Sequence, residues 1–382
     1  MLAGLLALAR GPAQQVGGAP ATGVPAGATQ LRQRSASFPE GTATIDHLLL
    51  HFDPESANEW LPACRDLVRA MPAAVQVTIA VHGPEEHALL ERLFAAARLG
   101  TPNVVEVGRS LTPWARDRLL AVGDGSRVDL LTPRLDCVGP SYAGDVATAD
   151  VLADRSGARS IPLALDFEGG DLECSAKFAF VGWGTILANA PGGRTEDAIR
   201  GFERLLRTDV VVVGRPAPPH DHLDMYLTVL DEHTVALGDP LAGAALLAEV
   251  EAEAAGTGVE LPGFDAWTEA AQRSMASCYD DVLRDLLLHG LTVLRVPILH
   301  GEEGGVLTWN NALVERRGDE HRIYLPVYGV PTLDDAASRV YRGAGFRVFP
   351  IDVARIAASG GTVRCITNVI GWSAAVRPAP AR

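Results

Sequence analysis

One cysteine, Cys365, has neighbours that suit a nucleophile. It lies in residues 360–370, Gly-Gly-Thr-Val-Arg-Cys-Ile-Thr-Asn-Val-Ile, where two glycines precede it and a strand-like run follows it. Glycine adopts backbone angles that are closed to other residues, so such a pair can direct the next side chain to one place. The adjacent Arg364, or a cationic substrate, would favour the thiolate, which is the nucleophilic form of cysteine. The alternative is a small apolar side chain on a buried strand, since free cysteines are often buried and inert.

The run His-Asp-His-Leu-Asp at residues 220–224 suits two different chemistries. Two histidines and an aspartate can bind zinc, as in the metallo-β-lactamase hydrolases. That pattern continues with a histidine, whereas this chain has Met225, so we predict no metal site. Alternatively, His222 and Asp224 point to the same side of a strand, because the side-chain period of a strand is two. A carboxylate beside the imidazole raises its pKa and holds its orientation, which suits a general acid and base.

Two further loops carry carboxylates beside residues that could shape a binding site. Glu168 stands before Gly169 and Gly170, where some group must approach the backbone closely. Asp117 follows Trp114, whose ring would form an aromatic wall. Each feature alone is more typical of a capped loop or a surface ion pair. Together with the cysteine and the histidine, the three carboxylates indicate a planar cationic substrate with several N–H donors, and guanidinium fits best.

These polar residues recur where predicted strands end. Five times a short β-branched strand leads into a polar loop, at residues 112–117, 167–171, 218–224, 309–311 and 360–365. Helices are predicted between these units, over residues 195–206, 241–255, 266–288 and 333–343. A spacing of roughly 50–90 residues is longer than a solenoid repeat and favours a closed ring of supersecondary units. An ordinary mixed α/β domain would also alternate strands and helices.

The order of the motifs resembles the guanidino-group-modifying superfamily. Trp-x-Arg-Asp at 114–117 and Cys-Ile-Thr at 365–367 are similar to agmatine deiminases. Cys-x-Thr-Asn-Val at 365–369 and the segment 345–352 are equally similar to the catalytic domain of peptidylarginine deiminases. With Glu-Gly-Gly-Asp, His-Leu-Asp and Asn-x-Leu-Val, the motifs cover residues 43–370. The resemblance implies an α/β fold, the five-bladed pentein propeller of ββαβ units, with the active site on its axis.

The resemblance also implies an activity that needs no cofactor and no metal, the deimination of a guanidino compound such as agmatine, arginine or peptidyl-arginine. Cys365 would attack the guanidinium carbon to form a covalent thiouronium intermediate. His222 would protonate the departing ammonia and then activate water, which leaves a ureido product. Asp117 and Asp224 would bind guanidinium nitrogens, and Glu168 would hold His222 or contact the substrate. The other predicted substrate-binding residues are Trp114, Asn311 and Arg364.

Two departures from the agmatine deiminase pattern leave the substrate open. Arg118 and Leu119 replace the usual Gly-Pro, and Arg364 replaces the usual histidine before the cysteine. Arg364 would meet either a substrate carboxylate or solvent. Two other functions also stay open: an amidinotransferase, which passes the amidine to an amine through the same cysteine, and a non-catalytic pentein that only binds.

The amino-acid composition disfavours several classes of binding partner and of protein. The formal net charge of -14 disfavours nucleic acid, whose phosphates require a basic face. The 5 cysteines contain no Cys-x-x-Cys pair, which disfavours a disulfide scaffold. No apolar run reaches the length of a membrane span. We therefore predict a small-molecule or peptidyl guanidinium substrate, no nucleic acid and no membrane span, and a homodimer remains compatible with the sequence.

The chain is predicted to contain one catalytic domain, over residues 41–376. Residues 1–40 are predicted to be an apolar start followed by a disordered leader rich in Gly, Ala and Pro, and residues 377–382 a disordered tail. The apolar residues 1–9 end like a secretory signal but lack a basic start, so both the cytoplasm and export stay open.

Overall fold

The computed structural model describes residues 36–124, 127–215, 222–257, 267–301 and 305–374. The predicted apolar start, most of the predicted leader, the predicted tail and His220 lie outside the described residues.

The described strands form five sheets of three or four strands each. The strands are β1 (Ala36–Ser37), β2 (Ala43–His51), β3 (Gln76–Val81), β4 (Asn103–Glu106), β5 (Leu120–Gly123), β6 (Val128–Thr132), β7 (Arg159–Pro162), β8 (Leu172–Cys174), β9 (Phe178–Gly182), β10 (Asp209–Val213), β11 (Leu227–Val229), β12 (Thr234–Asp239), β13 (Thr292–His300), β14 (Val306–Thr308), β15 (Leu313–Arg317), β16 (Glu320–Val327), β17 (Phe346–Asp352) and β18 (Thr367–Ala374). The helices are α1 (Ala57–Ala70), α2 (Pro84–Ala96), α3 (Ala143–Ser156), α4 (Trp183–Ala188), α5 (Thr195–Leu206), α6 (Pro240–Thr257), α7 (Glu269–Leu288) and α8 (Pro331–Gly343). The sheet orders are β1-β5-β6-β7, β10-β9-β8, β11-β12-β13-β14, β15-β16-β17 and β18-β2-β3-β4.

All five sheets share one arrangement, an antiparallel strand pair followed by a helical connection and a parallel third strand. Four of these units are consecutive in the chain, namely β5-β6-α3-β7, β8-β9-α4-α5-β10, β11-β12-α6-α7-β13 and β15-β16-α8-β17. In the fifth unit, β2 runs antiparallel to β18 and then parallel to β3, so this sheet joins the two ends of the fold. The mixed α/β class is confirmed, and the strand pairing matches the predicted ββαβ unit.

The predicted elements follow from where apolar side chains are buried. Strand β9 is buried along all its 5 residues, as expected of a strand covered on both faces. Helix α5 occupies the predicted residues and buries Ala198, Phe202, Leu205 and Leu206, which share one face at helical spacing. Among the described residues, no helix combines the length and the apolar character needed to cross a bilayer.

The N-terminal boundary of the domain differs from the prediction. Strand β1 pairs with β5, and Phe38 packs edge-to-face on Trp372 with ring centroids 6.0 Å apart. The backbone N–H of Glu40 donates a hydrogen bond to the carbonyl of Cys174 at 2.9 Å. The assignment of residues 36–40 to a disordered leader is therefore wrong, because these residues are part of the folded domain.

Candidate active site

Cys365 lies just before β18, and two preceding glycines allow this position for different reasons. Gly360 has a φ of 97°, a conformation that residues with a side chain rarely adopt. Gly361 leaves room for its neighbours, since a Cβ there would lie 2.5 Å from Cζ3 of Trp114 and 2.9 Å from Cβ of Cys365. Trp114, which is partly buried, also packs against the buried apolar group that includes Cys365. The predicted aromatic wall therefore lies beside the predicted nucleophile.

Asn311 presents a hydrogen-bond donor to the thiol of Cys365. Its Oδ1 accepts hydrogen bonds from Oγ1 of Thr362 at 2.8 Å, from the N–H of Arg364 at 3.0 Å and from the N–H of Cys365 at 3.3 Å. Because three donors surround Oδ1, the orientation of the amide is set and Nδ2 must point the other way. Nδ2 donates to Sγ of Cys365 at 3.1 Å, a contact that stabilises a thiolate.

The thiol of Cys365 is nevertheless hard to ionise in the unliganded protein. Burial raises its pKa well above the usual value, and the carboxylates of Asp224 and Asp117 raise it further. The hydrogen bond from Asn311 acts in the opposite direction. A cation that neutralised both carboxylates would therefore favour the thiolate.

His222 and Glu168 form a hydrogen-bonded pair. Nε2 of His222 lies 2.7 Å from Oε2 of Glu168, and Nη2 of Arg118 lies 2.8 Å from Oε1 of the same carboxylate. Burial opposes ionisation of Glu168, but the bonds to these two cationic groups outweigh it and lower its pKa to about 2. Burial would lower the pKa of His222, but Glu168 and three nearby aspartates raise it well above its usual value. His222 is thus equipped to carry a proton at neutral pH.

The strand predicted for His222 and Asp224 is wrong. His222 has an extended backbone, but the next three residues, Leu223–Met225, form a 3-10 turn. The turn directs the carboxyl of Asp224 into the protein, where it is fully buried. The two side chains come close to one site through this turn and not through strand alternation.

Asp117 and Asp224 present carboxylate oxygens that lack hydrogen-bond partners. Both oxygens of Asp224, and Oδ1 of Asp117, are buried without such a partner among the residues that the structure describes. Burial raises the pKa of Asp117 to about 7, and it also raises the pKa of Asp224. Buried acceptors without partners are costly, so these oxygens would gain from a ligand with several N–H donors.

The five predicted loops are linked to one another in a closed circuit. Each loop contacts the next, and the last contacts the first. The contacts are Gly169 N to Asp117 O at 2.9 Å, His222 Nε2 to Glu168 Oε2 at 2.7 Å, Asn311 Nδ2 to Asp224 O at 3.5 Å, Arg364 N to Asn311 O at 3.3 Å, and Arg116 N to Cys365 O at 3.2 Å. The predicted convergence of the loops is confirmed.

Comparison with known proteins bears on the fold. No family model and no curated protein matches the sequence. Solved structures do match. The agmatine deiminase of C. jejuni is 13% identical over 90% of this chain and 98% of that one, with a TM-score of 0.63. The agmatine deiminase of Enterococcus faecalis is 13% identical over 89% and 96%, with a TM-score of 0.63. A cysteine-to-serine variant of the C. jejuni enzyme with substrate bound is 12% identical over 88% and 96%, with a TM-score of 0.64.

The fold is that of the agmatine deiminases. The predicted resemblance to the pentein superfamily is confirmed at the level of the fold.

Arg364 does not reach solvent, which was one of its two predicted environments. Only 2% of it is exposed, and its guanidinium forms a two-pronged ion pair with Glu40. Its Nε lies 3.3 Å from Oε1 of Glu173 and 3.7 Å from Oδ2 of Asp224. A direct contact between Arg364 and a substrate carboxylate has no support in these surroundings, because its polar edge already faces three carboxyl groups.

The sequence reasoning missed three residues of the site. Glu40 lies in the predicted leader, where nothing marks it as buried. Glu173 is an ionisable residue inside the buried strand β8, and that pattern could have identified it. Arg118 was noticed only as a departure from a motif, yet it holds Glu168 and lies over the ring of Tyr142 at 4.5 Å.

The alternative zinc site has incomplete support. His220 lies outside the described residues. Within the described part of the chain, no group of three or more His, Cys, Asp and Glu side chains is arranged to hold a metal ion.

Proposed function

We propose that this protein is a cysteine-dependent deiminase of a guanidino compound. One observation carries the proposal: the thiol of Cys365 lies beside a hydrogen-bond donor, Asn311, and near two buried carboxylates, Asp117 and Asp224, that have oxygens without hydrogen-bond partners. A guanidinium group has five N–H donors in one plane and a positive charge, which matches this set of acceptors. Agmatine, the substrate in the names of the similar structures, is a guanidino compound of this kind.

The first half of the reaction forms a covalent intermediate. The guanidinium ion neutralises Asp117 and Asp224, and Cys365 then loses its proton to solvent more readily. The sulfur forms a bond to the guanidinium carbon. As the C–N bond breaks, His222 donates its proton to the leaving nitrogen, and ammonia departs from a thiouronium intermediate.

The second half consumes water. His222, now neutral, accepts a proton from a water molecule, and the hydroxide attacks the thiouronium carbon. Cleavage of the C–S bond, with loss of the hydroxyl proton to solvent, yields the ureido product and returns the thiolate. Glu168 holds the imidazole in place throughout and stabilises its protonated form, as the 2.7 Å hydrogen bond allows.

The site is assembled on a single domain that we describe as a five-bladed α/β propeller. Five sheets with the same strand pairing, a sheet that joins the two ends of the fold, and a closed circuit of loop contacts support this architecture. Each loop would then come from one blade and meet the others on the axis.

The decisive test is release of ammonia and formation of a ureido product from a panel of agmatine, free arginine, a methylated arginine and a blocked peptidyl-arginine. The purified protein is treated with a chelator and compared with Cys365→Ala. The matched control is Cys64→Ala, which removes a cysteine that is buried in α1 away from the site. We expect turnover that survives chelation, persists in Cys64→Ala and vanishes in Cys365→Ala.

Three other outcomes would each identify a different function. Activity that is lost on chelation would replace this proposal with a metal hydrolase. Turnover that requires an added amine would identify an amidinotransferase. Binding of guanidino compounds by calorimetry without any turnover would identify a binding protein.

A further inference from the structure

A buried group of charges lies directly behind the candidate substrate site. Arg364 is paired through both terminal nitrogens with Glu40, and its Nε faces Glu173 and Asp224. No more than 2% of any of these four residues is exposed. An isolated charge in such surroundings would be strongly unfavourable, so the group must be understood as a unit.

The charges within the group are divided unevenly. Burial and the neighbouring carboxylates raise the pKa of Glu173 well above its usual value, so Glu173 favours its neutral form. A second buried cation, Arg116, donates its hydrogen bonds to the carbonyls of Gly169 and Leu172 at 3.1 and 2.7 Å. Burial also raises the pKa of Glu40 and of Asp224, but Arg364 and Arg116 act in the opposite direction on both carboxyls, and His222 does so on Asp224.

Arg364 is shared between these two carboxylates. Glu40 occupies both terminal nitrogens, which leaves Nε 3.3 Å from Oε1 of Glu173 and 3.7 Å from Oδ2 of Asp224. The distance to Asp224 is that of an ion pair without a hydrogen bond, and both oxygens of Asp224 keep their lone pairs available. Arg364 therefore supplies a positive potential to Asp224 without covering the oxygens that a substrate would need.

We propose that Arg364, held by Glu40, is a positioning residue that keeps Asp224 ionised and fixed for a cationic ligand. This inference rests on the proposed function, since it concerns the same site. It assigns Glu40 to the substrate-binding apparatus, because Glu40 holds the guanidinium of Arg364 in place and offsets part of its charge, which would otherwise repel the incoming cation. Asp224 also faces His222, Arg116, Asp117 and the amide of Asn311, so Arg364 is one of several groups that set its ionisation.

The test uses two thiol reagents of similar reactivity but different charge, and it requires no turnover. Neutral methyl methanethiosulfonate and cationic aminoethyl methanethiosulfonate are applied at pH 7.5, and mass spectrometry follows modification of the peptide that contains Cys365. An ionised Asp224 beside the thiol favours the cationic reagent. We expect a cationic-to-neutral rate ratio of at least about tenfold in the native protein, relative to the exposed Cys137.

In a second step, both members of the Glu40–Arg364 ion pair are replaced together. The double variants E40Q/R364M and E40Q/R364Q replace the ion pair by an apolar and by an amide contact, because loss of one partner alone would leave a buried charge. We expect at least one to keep the native melting transition and near-ultraviolet circular dichroism, while its rate ratio falls about tenfold. A folded double variant with an unchanged ratio would show that the pair is only structural and would overturn the inference.

A further measurement keeps the inference testable if both double variants fail to fold. In Asp117→Asn, Asp224 is the remaining carboxylate near the thiol whose oxygens lack hydrogen-bond partners among the described residues, so the cationic preference at pH 7.5 must persist. Its loss would mean that Arg364 does not hold Asp224 ionised. Because these measurements do not depend on turnover, the inference and the proposed function can fail separately.

Discussion

A methyl group added at Gly170 would lie 2.5 Å from Nδ1 and 2.8 Å from Cγ of His222. The imidazole thus packs directly on the backbone of the Glu-Gly-Gly-Asp loop, and the preceding Glu168 bonds to its other nitrogen. Glycine is required at this position by the close approach of a ring and not by a positive φ, since Gly170 is absent from the positive-φ glycines.

We expect Gly170→Ala to displace His222 from Glu168 and to lower kcat by about 100-fold, because a shift of about 1 Å at a catalytic group has this effect. The matched control is Gly184→Ala in α4, where a Cβ would meet no atom within 4 Å. That change should leave kcat alone and slightly raise the melting temperature, since alanine favours helix. Equal activity of both variants would remove His222 from the mechanism.

The amide of Asn311 should control the ionisation of Cys365. In Asn311→Asp, a carboxylate oxygen replaces the N–H donor that faces Sγ, so the pKa of the thiol should rise further and activity should fall at least about 100-fold. The pH dependence of Cys365 modification by a neutral alkylating reagent measures this shift directly.

Thr362→Val is the graded control for Asn311. It removes one of the three donors to Oδ1 and leaves the two backbone donors, so the orientation of the amide should survive. A loss of less than about tenfold is expected, in line with one hydrogen bond. A loss as large as that of Asn311→Asp would instead attribute the effect to disruption of the loop.

Ionisation of the Asp117 carboxyl should produce the acidic limb of the pH profile of kcat/KM. Burial raises its pKa to about 7, so in the free protein the carboxyl becomes an anion only as the pH passes that value. We expect kcat/KM for a guanidinium substrate to rise with pH through about 7. In Asp117→Asn the limb should disappear and KM should increase at pH 8.

The same shift predicts a change in stability. The folded protein binds the proton of Asp117 more tightly than the unfolded chain does, so stability decreases as the pH rises from 3.8 to about 7. Asp117→Asn should therefore raise the melting temperature at pH 8 and have much less effect at pH 4. A variant that is less stable at pH 8 would contradict the buried, unpaired state of this carboxyl.

Arg118 should determine the pH range over which kcat/KM is high. Its charge lowers the pKa of both Glu168 and Asp117, and it opposes the positive charge of His222 across the shared carboxylate. Arg118→Met should move the acidic and basic limbs of kcat/KM to higher pH together, while Glu168 stays ionised. Arg118→Lys retains the charge and should restore most of the original profile. Limbs that stay in place in Arg118→Met would reduce its role to packing on Tyr142.

Local patterns in the sequence were sufficient to predict secondary-structure elements and to select the candidate site residues. Apolar residues at helical spacing located α5, because burial of a face follows from the periodicity of the backbone. The glycines at 169 and 170 correctly indicated a close approach to the backbone. These inferences hold because each depends on neighbours within one turn or one strand.

Only the tertiary structure decided which residues far apart in the sequence form ion pairs and hydrogen bonds with one another. Arg364 and Glu40 are 324 residues apart, so no spacing in the sequence could show that they form one buried pair. The orientation of the Asn311 amide is likewise set by three donors from a different loop. Periodicity reports which face of an element is buried, whereas ionisation and hydrogen-bond direction depend on the groups that the fold brings to that face.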